Sequence, residues 1–343
     1  MPGPEHLRRL AREPRPTGSP QAAEARQYCG EVLTSLGYRV AELPFEYSAA
    51  VGEYGTPVGG VIALAAVIAT LGRRGGLALG GLALLLLAGR WLARRGVLDL
   101  PMRRRQGVNI EARRNETVPS LWLVAHIDSK SQPVPLLVRA AGIILLSIAW
   151  IAAVFAPSAA AMFVGVAAVL GAIPVMASVV GARSPGAIDN ASGVATVLMA
   201  ASLLPAQASV GVLITDAEEL GLAGARAWCA RNSPGVVLNC DGVDDAGTLT
   251  LMWTRPRAPR LEEAMRRATD EPLRVIPLLP GVLVDALAFS NAGWEAVTVS
   301  RGTLGTLRRI HTRGDNLEHL KGVGIASTAR ALARAALTLT ERR

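Results

Sequence analysis

Apolar and polar positions divide the chain into two kinds of stretch. Residues 21–36, QAAEARQYCGEVLTSL, place apolar side chains at helical spacing, and Gly37 follows as a C-terminal cap. YRVAELPFEY, from Tyr38, then reads as a strand. From Pro57 to Gly89 that periodicity vanishes, because the sequence is apolar almost throughout and is broken only by Arg73 and Arg74. Each half has about 15–17 residues, the short limit for a membrane-spanning helix, so two short spans joined by an arginine turn are expected. GVNIEARR and SLWLVAH, from Gly107 and Ser120, are strand patterns again. A second apolar stretch opens at Leu136 with LLVRAAGIILLSIAWIAAVF, passes through APSAAA, and ends with MFVGVAAVLGAIPVMASVVGA. Both of these runs are long enough to span, and their connection is uncharged, which predicts a second transmembrane hairpin.

Beyond Ser184 the pattern is that of an α/β protein. ASVGVLIT and GVVLNCD are continuous apolar runs, as strands buried on both faces require, and EAVTVSR is a further strand. ASGVATVLMAASLL, RLEEAMRRAT and the closing GVGIASTARALARAALTLTERR have helical spacing. Alternation of strand and helix predicts a mostly parallel sheet. The expected organisation is one catalytic α/β domain (residues 1–55, 99–134 and 183–343) interrupted by hairpin insertions at 56–98 and 135–182.

Composition sharpens the membrane reading. Half of the 343 residues are hydrophobic and only 4% are aromatic, so Ala, Leu, Val and Gly carry the apolar content. Mean hydropathy is +0.33, high for a purely soluble protein. The net charge of +9 comes almost wholly from arginine, which elsewhere would suggest nucleic acid. Here the arginines flank the apolar runs at Arg90, Arg94–Arg95 and Arg103–Arg105, the distribution of membrane-flanking charge, and no nucleic-acid partner is expected. The positive-inside rule predicts an integral protein of a bacterial cytoplasmic membrane with its catalytic domain in the cytoplasm, although Arg73–Arg74 argue the other way. Cys29, Cys229 and Cys240 have no C-x-x-C spacing and read as reduced, buried thiols. The first twenty residues contain no apolar signal-peptide core.

Five places could carry chemistry. LVAHIDS sets His126 and Asp128 after a strand, in alternate positions that can share a face. SPGAIDNASGVA puts Asp189 before a helix. AEELG pairs Glu218 with Glu219 after a strand, VVLNCDG ends on Asp241, and RRIHTRGDN carries His311. Taken singly each has an ordinary explanation: a satisfied histidine, an N-cap, a solvated first turn, a turn aspartate, a surface histidine. Together they change the odds, since three follow strands at the ends where open α/β sheets hold their ligands. His and carboxylate without thiolate is a donor set that suits zinc. Two histidines with three carboxylates exceed one tetrahedral ion but fit two zinc ions that share a carboxylate.

These motifs, in this order, resemble the dizinc exopeptidases of the aminopeptidase Y and bacterial leucyl aminopeptidase type. HID, GAIDNASGVA, AEELGLAGA, NCD and HTRGDN match the family's metal motifs, and PRPTGSPQAAEARQYCGEVLTSLGYRV matches its lead-in. VDALAFSNAGWEAVTVSRG resembles the segment before the final histidine. The resemblance covers residues 10–50 and 106–340 and lapses in the two apolar insertions, so the chain reads as a membrane-embedded variant. It implies a three-layer α/β/α zinc-peptidase domain with a mixed sheet. It also implies that His126 and Asp241 bind one zinc, that Glu219 and His311 bind the other, and that Asp189 bridges. Cobalt or manganese would suit the same donors. Asp128 is implied to orient His126, and Glu218 to act as general base. One departure stands out: several family aminopeptidases carry a tyrosine before the last histidine as an oxyanion donor, and this chain has Ile310. Arg301 or Arg309 could substitute, and Lys130 lies near the site without an assigned role.

The implied activity is a membrane-anchored aminopeptidase acting on peptide or aminoacyl substrates. A carboxypeptidase, dipeptidase, amidase or cyclase on the same scaffold is the alternative, followed by a non-catalytic binding protein. The second insertion leaves the chain shortly after His126, so the site is expected to face the bilayer surface.

Overall fold

The computed structural model describes residues 3–341 apart from 73, 74, 92–94, 115–117, 156 and 280. The expected Arg73–Arg74 turn and Arg94 therefore lie outside the described residues. The chain divides into two compact units: residues 1–47, 104–130 and 182–343 form one, and 48–103 with 131–181 form the other.

The first unit is built on an eight-stranded sheet in the order β1-β2-β4-β3-β5-β8-β6-β7. Its strands are β1 (Arg39–Ser48), β2 (Arg104–Arg113), β3 (Leu121–His126), β4 (Val210–Thr215), β5 (Val236–Val243), β6 (Thr248–Trp253), β7 (Leu273–Pro277) and β8 (Glu295–Gly302). β4, β3, β5 and β8 run parallel at its centre, and antiparallel pairs occur at β2–β4 and β6–β8. Side chains of a strand alternate between faces, and both faces of β3 are covered. Leu121, Leu123 and Ala125 enter one core; Trp122 and Val124 enter the other. That double burial is why LWLVA reads as an unbroken apolar run.

Helices α1 (Gly3–Leu10), α2 (Pro20–Ser35), α8 (Gly193–Leu203), α10 (Pro259–Ala268) and α13 (Val323–Thr340) contribute to the first core. Helices α9 (Ala223–Cys229) and α11 (Asp285–Asn291) contribute to the second, giving three α/β/α layers. The second core is aromatic. Trp228 stands edge-on to Trp122 with ring centroids 4.9 Å apart, and it also touches Phe289 and Trp294. Its Nε1 donates to Glu111 at 2.7 Å, so the one polar atom of the ring is satisfied.

The second unit contains α3 (Ala49–Leu71), α4 (Gly75–Trp91), the single turn α5 (Val97–Asp99), α6 (Leu136–Phe155) and α7 (Ala161–Met176). Three helical stretches, Ala49–Leu71, Leu136–Phe155 and Ser158–Met176, are long and apolar enough to cross a membrane. Gly75–Trp91, with 17 described residues, is apolar as well and lies at the short limit for a span. The first helix starts at Ala49 rather than at Pro57, which lies within it at the cost of one backbone hydrogen bond. α6 and α7 meet at Gly142 and Gly171: a Cβ on Gly142 would lie 2.7 Å from the carbonyl of Gly171. Small residues at such a contact let apolar helices approach by backbone. Ile144, Ile148, Phe155, Phe163 and Leu170 remain exposed.

Replacing Trp228 by Ala is expected to lower unfolding stability by about 3–5 kcal/mol, because the aromatic cluster cannot close over the lost ring. Denaturant unfolding followed by circular dichroism checks this, and a loss under 1 kcal/mol (about the scale of a surface change) would contradict it.

Candidate active site

The site forms where the parallel strands end. The chain passes from β3 to β4 on one side, then crosses back to β5 on the other side of β3. Such a switch point opens a crevice beyond the strand ends. His126 is the last residue of β3, in register with Thr215 of β4. After β4 the chain turns sharply. Ala217 and Leu222 adopt left-handed φ values of 56° and 60°, and the Glu218 carbonyl accepts from the amides of Gly221 and Leu222. Strain of this kind persists only where neighbours fix it. Here Asp128 does so: its two carboxylate oxygens accept the Glu218 and Glu219 amides, each at 3.1 Å. Nδ1 of His126 lies 3.1 Å from the Asp128 backbone carbonyl and 3.5 Å from its carboxylate. Asp128 thus ties the His126 segment to the glutamate turn as well as facing the ring.

Asp189 sits in non-helical backbone just before α8, at φ −113° and ψ 87°. Its amide and that of Ile188 donate to the carboxylate of Asp315, at 3.1 and 2.6 Å. Asp315 follows His311 in the HTRGDN loop, so one carboxylate laces together the loops that carry Asp189 and His311. Asn190 does the same toward β5: its Nδ2 donates to the Cys240 carbonyl at 3.0 Å, and its Oδ1 accepts from Gly193 and Gly242. A Cβ on Gly193 would lie 2.1 Å from that Oδ1, so only glycine fits there. β5 pairs irregularly between Cys240 and Val243, and such an irregularity re-aims side chains near sites; Asp241 lies in it. Arg15, buried in the lead-in, donates to the carbonyls of Ile127 at 3.0 Å and Gly186 at 3.1 Å, bracing both loops from below.

All the candidate side chains converge. His126 Nε2 lies 3.1 Å from Asp189 Oδ1 and 3.6 Å from Asp241 Oδ1. His311 Nε2 lies 3.0 Å from Asp189 Oδ2 and 3.4 Å from Glu219 Oε1. Asp189 therefore faces one histidine with each oxygen. Donor atoms of His126, Glu218 and Asp241 fall within 4.8 Å of one another, and so do those of Asp189, Glu219 and His311. His126 Nε2, Glu218 Oε1 and Glu219 Oε1 are buried without a partner in hydrogen-bonding geometry, despite these short approaches. Buried lone pairs that point at one another without protons between them are costly, and a cation at their centre removes the cost. The donors are nitrogen and carboxylate oxygen, which fits zinc.

Electrostatics agree with that picture. Burial opposes charge on His126, but the fields of Glu218, Asp128, Asp189 and Asp241 outweigh it and hold the imidazole well above its ordinary 6.5. Burial likewise opposes charge on His311, and Glu219 and Asp189 raise it overall. Burial raises Glu218 far above the usual carboxylate range, with His126 opposing and Glu219, Asp241 and Asp285 adding to the shift. Burial also acts on Glu219, yet Lys130 and His311 bring it below 4.5. Asp189 is held well below 3.8 by its two histidine partners in spite of burial.

One residue beside the site was not readable from the sequence. Asp285 is fully buried at the start of α11, accepts from Thr215 at 2.5 Å, and is pushed up to about 7 by burial. An isolated Asp before Ala-Leu-Ala carries no signal of that role. Lys130 pairs with Glu219 at 2.6 Å. Arg301 is engaged by Glu271 at 2.7 Å, and Arg309 by Asp244, so neither expected arginine is directed at an oxyanion. Ile310 packs against the main core.

An α/β/α sheet with histidines and carboxylates gathered at its strand ends defines a metallohydrolase. The sequence matches peptidase family M28 over residues 109–336, more than half of the chain, so the protein belongs to that family and is a zinc metallopeptidase. Among solved structures it is similar to a zinc aminopeptidase from Bacillus subtilis, with 14% identity, a TM-score of 0.60, and coverage of 98% of this chain and 94% of that one. It is similar to an aminopeptidase from Aneurinibacillus sp. strain AM-1, at 16% identity and a TM-score of 0.59, covering 98% and 93%. It also resembles the glutaminyl cyclase of Porphyromonas gingivalis, at 16% identity and a TM-score of 0.57, covering 99% and 97%. At such identities the likeness is one of fold. No curated protein matches the sequence.

The raised groups set the pH response of metal-free protein. A raised histidine contributes stability that is full below 6.5 and is lost as pH climbs through the raised value. A buried carboxyl raised like Glu218 contributes stability that is full below 4.5 and is lost as pH climbs toward its raised value, which acts in the same direction. Asp189, held low, acts oppositely but only below 3.8. Chelated protein is therefore expected to melt at lower temperature at about pH 8 than at about pH 5, with zinc restoring more at the higher pH. Thermal melts with and without chelator check this; a chelated protein that gains stability with rising pH would contradict it.

Proposed function

We propose that the protein is a membrane-anchored dizinc aminopeptidase that removes N-terminal residues from peptides. The observation that carries the dizinc reading is Asp189, whose two oxygens face His126 and His311 at 3.1 and 3.0 Å. His126 and Asp241 would hold one zinc, Glu219 and His311 the other, with Asp189 shared between them. When bound, the zinc ions polarise the substrate carbonyl and make water acidic enough to supply hydroxide at neutral pH. Glu218 takes the proton from the attacking water and gives it to the leaving amine. In the metal-free site burial raises its carboxyl, the direction in which a general base is tuned. The Asp128 carboxylate fixes the backbone under Glu218 and so fixes where the base stands.

The choice of an N-terminal substrate is supported by the two aminopeptidases whose fold this chain shares. A cyclase remains a second reading because of the fold shared with the P. gingivalis glutaminyl cyclase.

Free and N-blocked aminoacyl substrates separate these readings, with a peptide starting in glutamine as a third substrate. Hydrolysis of free but not blocked substrates is expected; equal cutting of blocked ones refutes the aminopeptidase, and loss of ammonia from the glutamine peptide without shortening points to the cyclase. Glu218→Gln is expected to lower kcat by about 10²–10⁴-fold with zinc content unchanged. Intact turnover in that variant would remove Glu218 from the mechanism.

The three long apolar helices and their exposed Ile, Phe and Leu side chains support anchoring in a bilayer. Arg103, Arg104 and Arg105, beside the first insertion, favour a cytoplasmic catalytic unit in a bacterial cytoplasmic membrane. The protein is expected to stay in membranes through an alkaline wash. In intact cells an impermeant maleimide is expected to label Ser158→Cys and to leave Asp245→Cys unlabelled until lysis. The reverse labelling pattern would invert the orientation.

A further inference from the structure

We propose that Lys130 is a positioning residue that clamps one oxygen of Glu219, so that the carboxylate offers only its other oxygen to the metal. The inference rests on the dizinc reading above. Lys130 Nζ lies 2.6 Å from Glu219 Oε2, with the glutamate side chain only 4% exposed and the lysine 18%. The other oxygen, Oε1, has no hydrogen-bond partner and lies 3.4 Å from His311 Nε2, on the side of Asp189 and His311. The two oxygens of one carboxylate thus have separate tasks. The root of the lysine is held as well. The preceding Ser129 donates its amide to the Arg15 carbonyl at 3.1 Å and its hydroxyl to the Ser184 carbonyl at 3.1 Å. The Glu219 amide is fixed by Asp128. Both ends of the pair are therefore set by the scaffold before any ion arrives.

A dication attracts both oxygens of a free carboxylate, and a chelating carboxylate occupies a position that a catalytic zinc keeps open. A fixed ammonium on Oε2 prevents this. It also adds a positive charge beside the site, which weakens the site's attraction for a cation. Lys130 therefore exchanges metal affinity for an open position. That pairing of effects separates a clamp from other roles. A purely structural residue would weaken both binding and turnover when removed. A donor to the substrate oxyanion would lower turnover when removed, without confining the gain in affinity to the ion held by Glu219.

The test is zinc titration of the chelator-treated full-length protein and of Lys130→Met, read by calorimetry, with steady-state kinetics on the same samples. The clamp predicts that the ion held by Glu219 binds about 10–100-fold more tightly in the variant, the scale on which outer partners tune a metal site, while kcat falls and the other ion is unaffected. Lys130→Arg, which keeps the charge, is expected to retain the native affinity. Lys130→Gln, which keeps a donor but not the charge, is expected to bind zinc more tightly as Met does, and it serves if Lys130→Met does not fold. Unchanged or weaker zinc binding in the uncharged variants overturns the clamp. One zinc per wild-type chain refutes the dizinc reading instead, and the clamp is then judged on whether that ion's affinity moves.

Discussion

The structure depends on holding like charges together. Asp189, Glu218, Glu219 and Asp241 converge at the ends of three parallel strands, near the buried Asp285, with the two glutamates buried and the two aspartates mostly so. Nothing in a hydrophobic core rewards that arrangement, since each buried anion costs several kcal/mol unless it is paired or neutralised. The site is tolerable because two imidazoles and one ammonium are aimed at the same small volume. Among its unpaired atoms, His126 Nε2 and the Oε1 atoms of both glutamates are positions a cation would complete.

Much of the surrounding fold follows from that demand. Carboxylates outside the ligand set hold the loops: Asp128 takes two amides of the glutamate turn, and Asp315 takes two amides of the Asp189 loop. Asn190 binds that loop to β5, and Arg15 braces it from the N-terminal segment. Asp315, Asn190 and Arg15 use backbone partners, and Asp128 holds two amides besides facing the His126 ring, so loop position is fixed without consuming the atoms that face one another in the site. The aromatic core under Trp228 and the β3–β4–β5 ladder supply the rigid base from which those loops depart. Precise sites belong on such elements, because a ligand misplaced by about 1 Å is a poor ligand.

The sequence disclosed the site better than it disclosed its supports. His126, Asp189, Glu218, Glu219, Asp241 and His311 were legible because each sits in a motif whose residue types only make sense together. Asp285, Asp315 and Arg15 were not, since a single Asp or Arg in a loop is ordinarily a cap or a surface charge, and burial is what gives them meaning. The central strands were legible through their unbroken apolar runs, but β6 and β7 were missed because TLTLMW and LRVIP are short and half-exposed. α1 was missed for a related reason: GPEHLRRL is mostly charged, and its burial rests on Leu7, Leu10 and a histidine. The apolar helices were plain from composition, whereas their limits depended on Pro57, which ends many helices but here lies inside one.

The adjacent glutamates show what the fold adds to a two-letter motif. As sequence they are equivalent, and as buried neighbours they should repel and rise together. Instead they separate: Glu218 is driven well up by burial and by Glu219, Asp241 and Asp285, while Glu219 is brought below 4.5 against the same burial by Lys130 and His311. Carboxyl groups pushed apart in this way are suited to different roles, which is the division the proposed mechanism uses. The left-handed turn at Ala217 and the two amides held by Asp128 set their backbones, but those contacts are alike for both residues. The asymmetry comes from what each side chain meets beyond Cα. For Glu219 it is a lysine four residues along the chain from His126, at the last position before the chain enters the apolar insertion.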